Sequence, residues 1–270
     1  EAEGFDWPEI DENQASSLCY SSGTTGNPKG VLYSHRSTIL HSFAVCSADG
    51  LAISGRDTVL PVVPMFHVNA WGIPYACAMA GAKLVFPGGA MDGESVAEML
   101  INEKVTITAG VPTVWLMLLQ HLKETGMTLP DLRRNIVGGS ALPQSMIETF
   151  ENEYDVSCIH AWGMTEMSPL GTVGRMTQTL LTDKNTDLMR YKVKQGRALY
   201  GVDMKIVGDD GGRLPHDGKA FGELCVRGPW VTSGYFEDEG QSSTSFDSEG
   251  WFRTGDVSTI DNYGFMEVVD

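Results

Sequence analysis

From Leu18 to about Ile159 the sequence alternates between short, almost unbroken apolar runs and longer segments with helical spacing. That alternation limits the fold more than any other feature of the chain. The apolar runs are "VLPVV" (59–63), "KLVF" (83–86), "VTITAG" (105–110), "NIVGG" (135–139) and "VSCIHAW" (156–162). Between them, "PTVWLMLLQHLKETG" opens on Pro112 and closes on Gly126, and "LPQSMIETFENEY" carries Pro143 early. Proline at the start and glycine at the end are helix boundary signals. Strands that are apolar on both faces belong in a parallel sheet covered by helices on both sides. Residues 1–193 are therefore expected to be α/β, with a mostly parallel sheet and covering helices. From about Lys194 the texture changes to short runs broken by Gly, Asp and Pro, as in "GVDMKIVGDDGGRLPHDGKAFGELCVRGPW". That pattern predicts a β-rich subdomain over 194–270. Parallel sheets bind ligands in the loops at their strand carboxyl ends. The glycine-rich loops at 23–30 and 138–141 follow strand-like runs and are candidate site loops.

The chain has 270 residues, ample for a core, and a formal net charge of -16. Such a balance speaks against a nucleic-acid partner, which needs a basic patch; it equally suits a plain solubilising surface. No apolar run reaches the ~18 residues of a membrane-crossing helix, and the polar start "EAEGFDWPEIDENQ" is no signal peptide. The five cysteines, Cys19, Cys46, Cys77, Cys158 and Cys225, are odd in number, far apart and without a C-x-x-C pair. They read as reduced thiols of a cytoplasmic protein.

The stretch "YSSGTTGNPKGV" (20–31) combines glycines, hydroxyls and a lysine. Glycines let backbone N–H groups approach an anion, hydroxyls donate to it, and a lysine adds a point charge for phosphate oxygens. It is not the common triphosphate loop, in which lysine follows the second glycine directly and a Ser or Thr follows lysine. Here Asn27 and Pro28 intervene and Gly30 stands in the hydroxyl position. The bland alternative is a surface turn. In "HAWGMTEMSP" (160–169), Thr165 and Glu166 form a hydroxyl–carboxylate pair suited to Mg²⁺, and Trp162 offers a ring to stack on a flat base. Alone, the same residues read rather as a helix start beside a core tryptophan. In "GWFRTGDV" (250–257), Asp256 is a carboxylate in a tight turn that can grip two hydroxyls, or a plain turn aspartate. His67, in "PMFHVNAWG" (64–72), is a candidate catalytic residue or an ordinary half-buried histidine.

Together and in order, "YSSGTTGNPKG", "PMFHVNAWG", "GGSALP", "WGMTE", "GELCVRGPWVTSGYF" and "WFRTGD" resemble the adenylate-forming enzymes, the superfamily of acyl-CoA synthetases, peptide-synthetase adenylation domains and firefly luciferase. "VVPMFHVNAWG", "AGVPTVW" and "VGGSALP" look closest to medium- and long-chain fatty acid–CoA ligases. The resemblance implies ATP-dependent activation of a fatty acid as acyl-AMP, then thioester formation with coenzyme A, with Mg²⁺ as cofactor. It leaves transfer to a carrier protein, adenylation of another acid or plain nucleotide binding as alternatives, and a homodimer of the parent open.

The resemblance also implies site residues. Ser21, Ser22, Gly23, Thr24, Thr25, Gly26 and Lys29 would cradle the β,γ-phosphates, Ser21 and Glu166 would hold Mg²⁺, and Thr165 would touch the α-phosphate. Gly139, Ser140 and Ala141 with His160, Ala161, Trp162 and Gly163 would line the adenine and acyl site, and Asp256 would bind the ribose. His67 and Trp71 would border an acyl tunnel, with Trp71 as its gate and Val111, Pro112 and Thr113 in its wall. Two departures stand out: Trp162 replaces the usual tyrosine, and the sequence stops at "GFMEVVD", before the hinge and small mobile domain of the family. The chain therefore reads as the central piece of a larger enzyme, expected to bind nucleotide with little turnover by itself.

Overall fold

The computed structural model describes residue 4 and residues 6–21 and 27–269. Two strands, β1 (Ala15–Ser21) and β2 (Lys29–Ser34), pair antiparallel as a separate two-stranded sheet and lead into α1 (His35–Cys46). Ser34 caps α1 by accepting the Ser37 N–H, and the Ser37 hydroxyl accepts from the Ser34 N–H in return. The α/β unit then runs through β3 (Thr58–Val62), α2 (Val68–Trp71), α3 (Ile73–Ala80), β4 (Lys83–Leu84), α4 (Gly93–Asn102), β5 (Ile107–Gly110), α5 (Pro112–Thr125), β6 (Arg134–Val137), α6 (Gln144–Tyr154) and β7 (Ser157–Gly163). Pro112 stands at the start of α5, and Gly126 ends it at a φ of +72°.

Strands β4, β3, β5, β6 and β7 lie side by side and parallel. Their side chains alternate between two apolar layers. Val59, Ile107, Ile136 and Ile159 meet α1 and α3 through Val45, Ile73 and Ala76. Leu60, Val62, Val137 and Cys158 meet α4, α5 and α6 through Leu100, Trp115, Leu118 and Phe150. The period of two explains why these strands read as unbroken apolar runs.

The chain continues through β8 (Leu170–Val173), β9 (Gly196–Ala198), β10 (Asp203–Val207), β11 (Phe221–Arg227), β12 (Phe252–Ile260) and β13 (Phe265–Val268). These extend the same sheet antiparallel from β7, in the order β7-β8-β9-β13-β12-β11-β10. The parallel and β-rich parts thus form one 11-stranded sheet. β7 is the hinge of the architecture, with a parallel neighbour on one side and an antiparallel one on the other. All five cysteines are free thiols, and burial pushes Cys77 and Cys158 up to about 12, which keeps them protonated and inert. Among the described residues no helix is long and apolar enough to cross a membrane.

His41 of α1 joins three of these parts. It is buried, its Nε2 accepts the Leu170 N–H at 3.2 Å, and its ring meets the Trp230 ring edge-on. Only glycine fits beside it at position 72, where a Cβ would lie 2.7 Å from the imidazole. The accepting nitrogen must be unprotonated, and burial pushes the pKa down to about 3. Between the ordinary histidine value of ~6.5 and about 3, the unfolded chain takes up a proton that the folded chain refuses, so stability falls as pH falls through that window. Urea unfolding at pH 7 and pH 5 should show the wild-type chain losing about 2 kcal/mol more between the two than His41→Gln, which has no group to titrate there. Equal losses would contradict a neutral buried His41.

Candidate functional site

The segments that follow β3, β5, β6 and β7 carry His67 and Trp71, Val111, Gly139 with Ser140 and Ala141, and Thr165 with Glu166. In the sheet the order passes β4-β3-β5, so the chain reverses its direction of winding between β3 and β5. Such a switch point opens a crevice between neighbouring loops. The loop after β3 enters it through one turn of left-handed helix: φ is +43° at Val68, +53° at Asn69, +50° at Ala70 and +59° at Trp71. Each such residue costs roughly 1–2 kcal/mol. The turn is held by the Asn69 side chain, which donates to the Ser17 hydroxyl at 3.0 Å, and by the glycine at position 72, at a φ of +68°. It aims the Trp71 ring at Gly138, where a Cβ would lie 3.2 Å from the indole. Gly139 has a φ of +81° and faces Val111, whose Cγ1 would lie 3.1 Å from a Cβ there. Trp71, Val111 and the 138–139 backbone thus form one apolar wall.

The loop after β7 makes a 3₁₀ turn, Thr165–Met167, and buries both Thr165 and Glu166. This segment is clamped from several sides. The Tyr33 hydroxyl donates to the Thr165 carbonyl at 2.6 Å, and the Thr232 N–H donates to the Glu166 carbonyl at 2.7 Å. The Ser168 hydroxyl donates to the Trp230 carbonyl, and the Trp230 indole N–H donates to the Leu170 carbonyl. The Glu166 carboxylate itself accepts the Tyr235 hydroxyl at 2.7 Å. Burial and this carboxylate raise the Tyr235 phenol well above its ordinary value, so it stays the donor. Glu166 is 5% exposed, and no ion pair joins it to a basic side chain among the described residues. A buried carboxylate without a cation is costly. Glu166 therefore has the chemistry of a cation ligand.

Lys29 lies nearby. It pairs in register with Ser21, at the two ends of the glycine-rich segment, and its Nζ sits 5.1 Å from the centre of the Tyr235 ring. The Phe236 N–H donates to the Gly30 carbonyl, which fixes the 229–236 segment against β2. Ser22, Gly23, Thr24, Thr25 and Gly26 lie outside the described residues.

Asp256 corrects a sequence expectation. It is not in a tight turn but inside β12, where the register against β11 shifts between Glu223 and Cys225. Gly255, at a φ of +80°, makes the irregularity, and the Asp256 N–H donates to the Thr254 hydroxyl. The bulge turns the carboxylate toward β7, where Oδ2 accepts the Trp162 indole N–H at 3.0 Å. Burial raises the Asp256 pKa and the indole bond opposes the rise. The Trp162 ring lies against Gly171, where a Cβ would come within 2.6 Å of it.

The remaining candidates fall in three places. Ser140 and Ala141 are exposed in the loop after β6, and Gly163 ends β7 against the Pro169 carbonyl. His160 and Ala161 are buried. His160 presents Nδ1 to the Val193 carbonyl at 2.9 Å and Nε2 to the Ser140 carbonyl at 3.3 Å; burial lowers its pKa, and the neutral ring has one N–H to donate to one of these two carbonyls. His67 is exposed before α2 and forms no capping hydrogen bond there, instead of being half-buried. Among the described residues no group of three or more His, Cys, Asp or Glu side chains is arranged to hold a metal ion. Sequence reasoning assigned no role to Tyr33, His41, Thr232 or Tyr235. For Thr232 and Tyr235 the signal was present in "GPWVTSGYF", a segment recognised as a unit but not resolved into residues.

The family described as AMP-binding enzyme matches residues 3–236. The chain is 53% identical over 99% of its length to a medium-chain-fatty-acid–CoA ligase of Ectopseudomonas oleovorans, of which it covers 48%. It is 52% identical over 99% of its length to a 3-methylmercaptopropionyl-CoA ligase of Ruegeria pomeroyi, of which it covers 49%. It spans about half the length of these curated relatives. Among solved structures, the o-succinylbenzoate coenzyme A synthetase of Bacillus subtilis in complex with AMP superposes at a TM-score of 0.82 and 26% identity, over 97% of this chain and 50% of that one.

The Trp162–Asp256 pair yields a direct check. Carbon-13 NMR of the side-chain carboxyls should place Asp256 above the ordinary aspartate range near ~3.9. Trp162→Phe removes the one donor that favours the charged form, so the titration should move higher still. A downward shift in the variant would contradict the pairing.

Proposed function

The chain belongs to the AMP-binding enzyme family, and on that premise we propose that the native full-length polypeptide carrying it is an acid–thiol ligase. It activates an aliphatic carboxylic acid with ATP and passes the acyl group to coenzyme A. The observation that carries this reading is the buried Glu166 carboxylate, without a basic partner among the described residues and held by Tyr235 beside Lys29. A cation and a carboxylate that share one tyrosine without pairing with each other suit a phosphate chain that carries a divalent ion.

A carboxylate oxygen of the acid attacks the α-phosphorus of ATP, and the bond to the bridging oxygen breaks, releasing pyrophosphate. The thiol of coenzyme A then attacks the acyl carbon and loses its proton, and AMP leaves with the former carboxylate oxygen. Such chemistry needs positioning and charge neutralisation more than covalent help. Lys29, with Ser21, Ser22, Thr24 and Thr25 and the backbone at Gly23 and Gly26, neutralises and orients the β,γ-phosphates, and Thr165 meets the α-phosphate. Glu166 and Ser21 would hold Mg²⁺, which would screen the phosphate oxygens from the incoming carboxylate. One carboxylate plus phosphate oxygens is a common way to bind this ion, so the lack of a three-residue cluster among the described residues fits. Trp162 flanks the adenine, and Asp256, steadied by the indole N–H, keeps its other oxygen for the ribose hydroxyls. The loop Gly139, Ser140 and Ala141, faced at Ser140 by the His160 ring, borders both halves of the substrate, with Ala161 and Gly163 setting its floor. Trp71 with Val111 gives the alkyl chain an apolar wall, and His67 stands at its outer end. Two relatives of nearly equal identity are named for different acids, so the acid is read as an aliphatic class and not as one compound.

The test is to incubate the native full-length polypeptide with ATP, MgCl₂, coenzyme A and straight-chain acids of two to sixteen carbons. AMP and pyrophosphate should form in equal amounts and only with acid. Lys29→Ala should raise the KM for ATP by roughly tenfold, the loss of one charge-assisted contact. Glu166→Gln should lower kcat by ~10²-fold or more, the scale of a lost electrostatic stabiliser. ADP as product, or no AMP with any acid, would contradict the reading.

A further inference from the structure

Tyr235 touches both charges that matter most in this site, by different parts of one side chain. Its hydroxyl, at the rim of the ring, donates to Glu166 Oε1 at 2.7 Å. Its face receives the Lys29 ammonium, 5.1 Å from the ring centre, within the range of a cation–π contact. Lys29 and Glu166 are of opposite sign, yet the ion pairs among the described residues do not include one between them. Two opposite charges this close to one ring, with one of them buried, attract strongly. Both are engaged by one phenol, the lysine by its face and the carboxylate by its hydroxyl.

The ring is fixed from its backbone. The Tyr235 N–H donates to the Ser242 hydroxyl at 2.8 Å, and the neighbouring Phe236 N–H donates to the Gly30 carbonyl at 2.8 Å. Tyr235 packs against the small apolar cluster of Cys19, Val31, Tyr33 and Val68. The ring is therefore locked to the strand that carries Lys29, while its hydroxyl reaches the segment that carries Glu166.

We propose that Tyr235 is a positioning residue and a spacer: it keeps Lys29 and Glu166 apart and separately oriented, so that the lysine stays available to phosphate oxygens and the carboxylate to the divalent cation. This rests on the proposed nucleotide site and adds to it a reason for the two charges not to cancel each other. The hydroxyl serves Glu166 and the ring serves Lys29, so the two contributions separate by substitution. Tyr235→Phe keeps the ring and loses the hydroxyl. Tyr235→Leu loses both the hydroxyl and the π face, and lets the lysine fall onto the carboxylate.

The experiment is isothermal titration calorimetry of ATP into the native full-length polypeptide, once with EDTA and once with MgCl₂. Tyr235→Phe should weaken binding with MgCl₂ by about tenfold, the worth of one hydrogen bond to a charged group, while binding in EDTA stays within about twofold. Tyr235→Leu should weaken both by about tenfold or more. Adding Glu166→Gln to Tyr235→Leu should then restore most of the binding in EDTA, because the lysine is released. The spacer is overturned if Tyr235→Phe weakens both conditions equally, if it matches wild type in both, or if the double variant recovers nothing. Wild type that binds no ATP in either condition would instead overturn the nucleotide site itself, and the spacer with it.

Discussion

The site depends on one hydrogen bond from a phenol to a buried carboxylate, Tyr235 to Glu166. A carboxylate that is 5% exposed loses most of its hydration and needs compensation from the protein or from a ligand. Among the described residues, Tyr235 is the side chain that donates to it. The rest of the local structure serves to hold that carboxylate still. Tyr33 and Thr232 bind the backbone carbonyls of Thr165 and Glu166, and Trp230 and His41 fix the Leu170 backbone just beyond. None of these partners is close to Glu166 in sequence. They come from β2, α1 and the segment between β11 and β12, so the clamp forms only when the chain is fully folded.

The sheet explains how such distant pieces meet. β7 is parallel to β6 and antiparallel to β8, so its carboxyl end lies where the two parts of the sheet adjoin. The parallel part contributes loops with apolar and small residues, Trp71, Val111 and Gly139. The antiparallel part contributes carboxylate and indole geometry through the β12 bulge, which brings Asp256 to Trp162. The apolar wall and the Asp256 carboxylate therefore come from different parts of one continuous sheet. Thr165 and Glu166 follow β7 directly and sit at the seam.

Much of the fold was legible because it rests on periodicity. Leu60 and Val59 point to opposite layers, and a strand buried on both faces can only read as an apolar run. Pro112 and Gly126 marked α5 because both act through the backbone alone. The clamp was not legible, since a tyrosine that bonds a carboxylate sixty-nine residues away leaves no local pattern. The left-handed turn at 68–71 was hidden for a related reason. Of Val68, Asn69, Ala70 and Trp71, only asparagine visits that region readily, so tertiary contacts and not local preference impose it. Asp256 was misplaced because "TGD" suits a turn and a bulge equally; the choice is made by the partner strand. The burial of His160 left no local sign, since it depends on the Val193 and Ser140 carbonyls that its ring faces.

The most direct test of the account follows the oxygen of the acid. The native full-length polypeptide is given ATP, MgCl₂, coenzyme A and an alkanoic acid labelled with oxygen-18 in its carboxylate, and the products are read by mass spectrometry. Attack on the α-phosphorus followed by thioester formation moves one labelled oxygen into AMP and none into pyrophosphate. Label in inorganic phosphate with ADP, or AMP that carries no label, would contradict activation at the α-phosphate.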